Sequence, residues 1–291
     1  MPSRIQIAKP DIVASFEKNP QKTFRPEDIA EILRAQRQGW RLAQRQTLGG
    51  FIEFLVKRTG LRSVVLRRED GNEVARYTWG ARSPYEIALS LGRGSYLSHA
   101  TAVLLHGLND LIPKTIYVNQ EQAAKPSPPP DSLTQQAIDS AFAKPVRITK
   151  ERYELNDTVI MVIRGKWTGR LEVDTLQGPE GTMLDTTRIE RTLIDITVRP
   201  AYAGGVFQVL EAFKAAKSQT SVNLLLRTLR KLDYVYPYHQ CIGFYLQRAG
   251  YDEEKLHFIR SMPRNFDFYL THAMTDKLYD PTWRLFYPSG I

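Results

Sequence analysis

The sequence predicts an α+β protein in two parts: a small, mostly helical domain over residues 1–80 and a larger mixed α/β domain over 81–291. Three observations carry that expectation. The 291 residues make room for about two domains at roughly 100–200 residues each. Apolar residues recur at helical spacing as far as Gly60 and at strand spacing over 61–79. From Ser83 onward a second series begins in which helical and strand patterns alternate.

Composition narrows the class further. With 42% hydrophobic and 10% aromatic residues, the chain can bury ordinary cores and does not read as disordered. It holds no apolar run of about 18 residues, so no membrane span is expected. MPSRIQIAKPDIV at the start lacks the pattern of a secretory leader. The single cysteine, Cys241, excludes a disulfide within the chain and fits a reducing compartment. A cytoplasmic protein without membrane contact is the expectation.

The net charge is +9, from 40 Lys+Arg against 31 Asp+Glu, and it is unevenly placed. Residues 1–80 hold 15 cations against 9 acids. Within 34–68, Arg34, Arg37, Arg41, Arg45, Lys57, Arg58, Arg62, Arg67 and Arg68 face one acid, Glu53. Such a local excess raises affinity for a polyanion through counterion release. A solvated basic face is the plainer reading of any charge run, so the order of elements has to decide.

Ile12, Val13 and Phe16 mark a first short helix that stops at Asn19-Pro20, because proline cannot continue it. A second helix starts near Pro26, with Glu27 and Asp28 suited to its dipole, the stripe Ile29, Ile32, Leu33, and a break at Gly39. A third runs from about Thr47 to Thr59, with Leu48, Phe51, Ile52 and Leu55 inward and Gly60 as a C-terminal cap. LRSVVLRR and EVARYTW are strands joined by the turn Glu69-Asp70-Gly71-Asn72. Three short helices followed by a β-hairpin form the winged variant of helix-turn-helix. In that fold the third helix enters the major groove by its N-terminal end and the hairpin rests on the backbone. Arg41, Arg45, Gln46 and Thr47 then reach base edges or phosphates, and Arg34, Arg37, Lys57, Arg58, Arg67 and Arg68 suit phosphate positioning.

In the second part, Ser83-Pro84 opens a helix over YEIALSL, and Ala100, Val103 and Leu104 belong to another that ends at Gly107. TIYVN, TVIMVIR (158–164) and RLEVDT (170–175) read as strands, and KPSPPPDS (125–132) as a stiff surface loop. TTRIERTLIDITVRP reads as a helix with a Thr187/Glu190 capping box and an Arg191–Asp195 pair, ended by Arg199-Pro200. VFQVLEAFKAAK, SVNLLLRTLRKL and YHQCIGFYLQRAGY are three further amphipathic helices.

Three of these segments, YLSHATAVLLHGL (96–108), IERTLIDITVRP (189–200) and IGFYLQRAG (242–250), follow the N-terminal helices in an order that resembles the AbiEi family. That family comprises the antitoxins and transcriptional regulators of bacterial phage-defence toxin–antitoxin pairs. The resemblance spans about residues 20–280. It implies an N-terminal domain that binds double-stranded operator DNA, in inverted repeats, in its own promoter. It also implies a C-terminal domain needed to neutralise a nucleotidyltransferase-like toxin without a stable complex. The aromatic tail FDFYLTHAMTDKLYDPTWRLFYPSG departs from shorter members of the family and has no assigned role.

Arg188, Glu190, Arg191, Asp195 and Arg199 are candidate interaction residues that capping and ion pairing also explain. Arg227, Arg230 and Lys231 form a second basic cluster on one helix face. Neither an enzyme, a cofactor nor a metal is expected. The five histidines lack metal spacing, with His99 and His106 read as packing or capping residues, and Cys241 reads as a small core residue. The alternatives are a protein-interaction module that binds the toxin directly and a metal-dependent nuclease. For the nuclease, Asp233 with Glu253-Glu254-Lys255 matches the acid spacing only loosely, at a helix boundary rather than a strand end.

Overall fold

A computed structural model describes residues 2–109, 113–124 and 133–291; the proline-rich stretch 125–132 lies outside the described residues. The protein is a mixed α+β structure. Contacts divide it into two compact units, Met1–Arg93 with Glu151–Ile160, and Gly94–Lys150 with Met161–Ile291. In chain order the first unit supplies α1 (Arg4–Ile7), α2 (Lys9–Lys18), β1 (Thr23–Phe24), α3 (Pro26–Gln36), α4 (Leu48–Arg58), β2 (Leu61–Arg68), β3 (Glu73–Trp79) and α5 (Pro84–Leu89). The second unit follows with β4 (Tyr96–Leu97), α6 (His99–Leu105), β5 (Thr115–Glu121) and α7 (Gln135–Phe142). β6 (Arg152–Leu155) returns to the first unit, and β7 (Thr158–Gly165) passes into the second at Met161. The remainder is β8 (Val173–Gln177), β9 (Met183–Thr187), α8 (Ile189–Val198), α9 (Val206–Ala215), α10 (Val222–Leu232), α11 (Tyr238–Arg248), α12 (Glu253–Arg260), β10 (Phe268–Tyr269), β11 (Lys277–Asp280) and β12 (Leu285–Pro288).

In the first unit, Ile12 and Phe16 of α2, Ile29 and Leu33 of α3, and Phe51 and Leu55 of α4 meet in one core with Phe24, Trp40, Leu61 and Trp79. Phe16 stacks on Trp79 at 5.1 Å and meets Phe24 edge-on at 5.4 Å. The apolar spacing of the three helices predicted this core. The two residues of β1, which no sequence pattern announced, pair antiparallel with β3 (Thr23↔Thr78), giving the strand order β1-β3-β2-β6. The unit extends beyond residue 80, the boundary read from the sequence. The Arg76 guanidinium donates to the Ser90 carbonyl beyond α5 at 3.2 Å, and β6 lies antiparallel to the end of β2 (Arg67↔Glu154, Arg68↔Tyr153).

Local signals at the helix ends held in part. Pro26 opens α3, and Asp28 accepts from the Arg25 amide at 2.8 Å while pairing with its guanidinium at 2.7 Å. Ser83 and Glu86 close the start of α5 reciprocally. Gly60 is not the expected cap. α4 ends at Thr59 in extended backbone (φ −133°), and Gly60 lies beside the Trp79 ring.

In the second unit α8 is buried from Glu190 to Thr197. Leu193, Ile194 and Ile196 share a core with Val103 of α6, Val209 and Phe213 of α9, Leu225 and Leu229 of α10, and Ile242 and Phe244 of α11. The strands run in the order β7-β5-β4-β9-β8. The aromatic tail is structural: β10, β12 and β11 form a small sheet, and the buried Trp283 packs where a methyl group on Gly243 would overlap its ring.

Two expectations change here. The capping box does not form, because Thr187 shares a hydrogen bond with the Thr192 hydroxyl (2.8 Å), and Glu190 instead accepts from the Ser221 amide at the start of α10 (2.9 Å). The strand expected at 170–175 begins at Val173, because Arg170 and Glu172 adopt left-handed backbone (φ 57° and 53°). Among the described residues, no helix is long and apolar enough to cross a membrane.

Candidate nucleic-acid interface

The turn between α3 and α4 is built around a buried tryptophan and an internal brace. Trp40 stacks on Phe51 of α4 at 5.8 Å, and Arg41 follows it in left-handed backbone (φ 52°). The Arg37 guanidinium reaches across the turn and donates to the carbonyls of Ala43 (2.7 Å), Gln44 (3.2 Å) and Gln46 (3.0 Å). Three of the five Arg37 N–H donors are thereby engaged within the chain, which makes this residue a brace of the turn. Thr47 is the N-cap of α4, its hydroxyl accepting from the Gly50 amide at 3.2 Å. Gln46 is half-buried beside it.

The other cations separate into two groups. Arg34, Arg41, Arg45, Arg58 and Arg62 are exposed, and among the described residues their side chains form no hydrogen bond or ion pair. Lys57 pairs with Glu53 one turn earlier at 2.5 Å, and this ammonium group holds the Glu53 carboxyl below its ordinary range. Arg67 pairs with Glu73 and Arg68 with Asp70, both at 3.3 Å, and the Arg68 guanidinium lies 6.0 Å from the Tyr153 ring. The hairpin arginines are therefore locally neutralised. Sequence reading grouped all of these residues together because a run of cations does not reveal which of them has an acid across a strand.

The candidates of the second unit divide in the same way. Arg188 pairs with Asp174 at 2.5 Å and with Glu172 at 3.7 Å. Arg191 and Asp195 form the expected pair at 2.8 Å, buried to 4% and 7% exposure, with the Arg191 guanidinium also donating to the Leu171 carbonyl at 3.0 Å. The Asp195 carboxylate keeps that guanidinium charged despite its burial. Arg227, Arg230 and Lys231 are exposed on α10 and, among the described residues, have no side-chain partner. Glu253, Glu254 and Lys255 open α12 after Asp252, at a helix start and not a strand end. His106 donates from Nε2 to the Thr187 carbonyl at 2.7 Å. Cys241 is buried, and burial pushes its thiol up.

The sequence reading overlooked one feature of the second unit, a cleft of about 800 Å³. Its walls include His99 and Asn119, the segments 144–147 and 163–167, the α8 face of Arg191, Asp195, Val198 and Arg199, and 233–236. The basic tetrads KPVR and RGKW were its signal in the sequence, but 16 residues separate them along the chain and they meet only in the fold. Gly165 is needed at this wall because a methyl group there would overlap the Asn119 carboxamide. Asn119 in turn donates to the Tyr96 hydroxyl at 2.5 Å, which donates to Glu121 at 3.1 Å. Burial opposes the charge on Glu121, yet the Thr168 hydroxyl and the amides of 168–170 hold its carboxyl below the ordinary range.

No protein-family model matches the chain, and comparison with curated proteins finds no match. The fold is similar to that in the crystal structure of RV2827C protein from Mycobacterium tuberculosis. The TM-score is 0.56 at 17% identity, over 98% of this chain and 93% of that one. At that identity the likeness is one of fold and carries no activity with it.

Proposed function

We propose that the first unit is a winged helix-turn-helix reader of double-stranded DNA, and that the chain is a non-enzymatic repressor and antitoxin of AbiEi type. The order α2-β1-α3-α4-β2-β3, with β1 paired to β3, supports the winged-helix reading. The observation that carries DNA binding is the set of unpaired guanidinium groups at Arg41 and Arg45, on the turn leading into α4, with Arg34, Arg58 and Arg62 nearby in sequence. In a helix-turn-helix the start of the second helix meets the base edges. Arg41 and Arg45 are assigned to bases or adjacent phosphates, with Gln46 beside them, and Arg34, Arg58 and Arg62 to phosphates. Thr47 caps the helix, and Arg37 braces the turn.

The AbiEi half of the reading rests on the three sequence segments of the resemblance. In the fold they supply β4, α6, α8 and α11, and the three helices share one core. Neutralisation of a nucleotidyltransferase-like toxin, without a stable complex, is the role proposed for this unit.

The test is fluorescence anisotropy of the full chain on its own upstream DNA and on a scrambled duplex, across a salt series. Arg41→Ala/Arg45→Ala should weaken binding, lower the preference for the upstream DNA by about 1–3 kcal/mol per lost base contact, and flatten the salt slope by up to about 0.9 per lost phosphate contact. Arg67→Ala/Arg68→Ala should change both less, since Glu73 and Asp70 already offset those charges. Binding by the Arg41/Arg45 variant equal to that of the parent would overturn the reading. A stoichiometric complex with a neighbouring toxin, and no binding to DNA, would instead establish the protein-interaction module.

A further inference from the structure

The cleft of the second unit is lined by more cations than acids. Lys144, Arg147, Arg164, Lys166, Arg191 and Arg199 lie on its walls against Asp195 and Asp233. Arg191 is matched by Asp195 at 2.8 Å, and Lys166 lies 4.0 Å from the Asp233 carboxylate while donating to the Leu232 and Asp233 carbonyls. Lys144 and Arg147 have no ion pair and no side-chain hydrogen bond among the described residues; Arg199 lies over the Tyr202 ring at 5.9 Å and feels the Asp195 carboxylate, with no ion pair or hydrogen bond of its own.

His99 supplies an independent sign of a built site. It is 5% exposed, lines the cleft, and stands in left-handed backbone (φ 51°) at the start of α6. Histidine enters that region more readily than most side-chain-bearing residues, so the backbone here is compatible with its place on the wall. Its Nδ1 shares a hydrogen bond with the Ser98 hydroxyl at 2.8 Å, whereas Nε2 has no partner among the described residues. That nitrogen is not among the polar atoms sealed from solvent without a partner, so it opens on the cleft, where a ligand can meet it. Trp167, 52% exposed, and the Tyr234 and Tyr236 rings line the same cleft.

We propose that this cleft binds a nucleoside phosphate, with Lys144, Arg147 and Arg199 meeting the phosphates, an aromatic side chain of the wall stacking on the base, and His99 Nε2 forming a hydrogen bond to the ligand. Unmatched cations select an anion, and the rings select a flat aromatic group. The volume of about 800 Å³ suits a small molecule, since such sites span roughly 300–1,000 Å³. Nothing in the assignment depends on DNA binding by the first unit.

The experiment is calorimetric titration of the full chain with each of the four nucleoside triphosphates, inorganic triphosphate, a nucleoside and a short single-stranded RNA, with Trp167 fluorescence as a second readout. At least one triphosphate is expected to bind saturably below about 1 mM, more tightly than inorganic triphosphate or the nucleoside. Arg199→Ala, and separately Lys144→Ala/Arg147→Ala, should weaken it about 10- to 100-fold, the loss of a charge-assisted hydrogen bond. The Lys144 and Arg147 side chains are exposed, so that variant keeps the parent's unfolding transition. No saturable binding of any nucleotide, equal binding of inorganic triphosphate, binding of the RNA alone, or affinity unchanged in both variants would each overturn the proposal.

Discussion

Arg37→Ala separates a structural brace from a DNA contact. The guanidinium donates to three carbonyls of one short turn at 2.7, 3.2 and 3.0 Å and is half-buried. A fully buried charged donor contributes about 1.5–3 kcal/mol per hydrogen bond, and at partial exposure roughly 1 is a fairer figure, so the loss should be about 2–3 kcal/mol. The turn carrying Arg41 and Arg45 then gains freedom. Ordering each residue again on DNA costs about 1–2 kcal/mol, which lowers affinity by about tenfold or more. Arg37→Lys keeps the charge but gathers its donors on one nitrogen, without the fork that reaches Ala43 and Gln44 from one nitrogen and Gln46 from the other, so it should lose most of the same stability. Urea unfolding followed through Trp40 at the turn measures the first effect, and anisotropy on the upstream duplex measures the second. The reasoning fails if Arg37→Ala unfolds at the parent's urea concentration while the salt slope of binding drops by about 1, or if Arg37→Lys behaves as the parent in both assays. Either result would return Arg37 to the phosphate contacts.

Two further outcomes concern the second unit. Asp195→Ala leaves the buried Arg191 guanidinium without its counter-charge and should cost about 3–5 kcal/mol in urea unfolding, whereas Arg191→Met/Asp195→Leu should recover most of it; equal losses in the two variants would refute the pair's role. Burial, with repulsion from Arg199 and Arg191, pushes His99 down to about 3, below the ordinary value of about 6.5. Its surroundings are Ser98, the Tyr117 and Tyr202 rings and the two arginines. The neutral ring is therefore fully stabilising above pH about 6.5. Below that the unfolded chain takes up a proton that the folded chain refuses, so stability declines by up to about 1.4 kcal/mol per pH unit until the folded-state value is reached. His99→Gln should remove that slope between pH about 4 and 6 in paired urea titrations, and identical slopes would refute it.

Much of the fold could be read along the chain because helices are local. The spacing of Ile29, Ile32 and Leu33, or of Leu48, Phe51, Ile52 and Leu55, is set within one helix, and the pattern and the burial agree. The proline starts at Pro26 and Pro84 and the left-handed glycines Gly71, Gly107 and Gly250 are equally local. β1 escaped notice because two residues carry no periodicity, and only β3 makes them a strand.

Sequence alone determined the α+β class, the helices of the first unit, the i, i+4 pairing of Arg191 with Asp195, and the concentration of cations over 34–68. The tertiary structure decided which of those cations remain free. Glu73 neutralises Arg67 from the neighbouring strand, and three carbonyls occupy Arg37, while Arg41 and Arg45 stay open. It also transferred Glu190 from its own helix to the start of α10, and brought KPVR, RGKW and Arg199 to one cleft. The physical reason is range. Periodicity and capping act within a turn or two of chain, whereas a charge is quenched or left open by whatever the fold brings within a few ångströms of it.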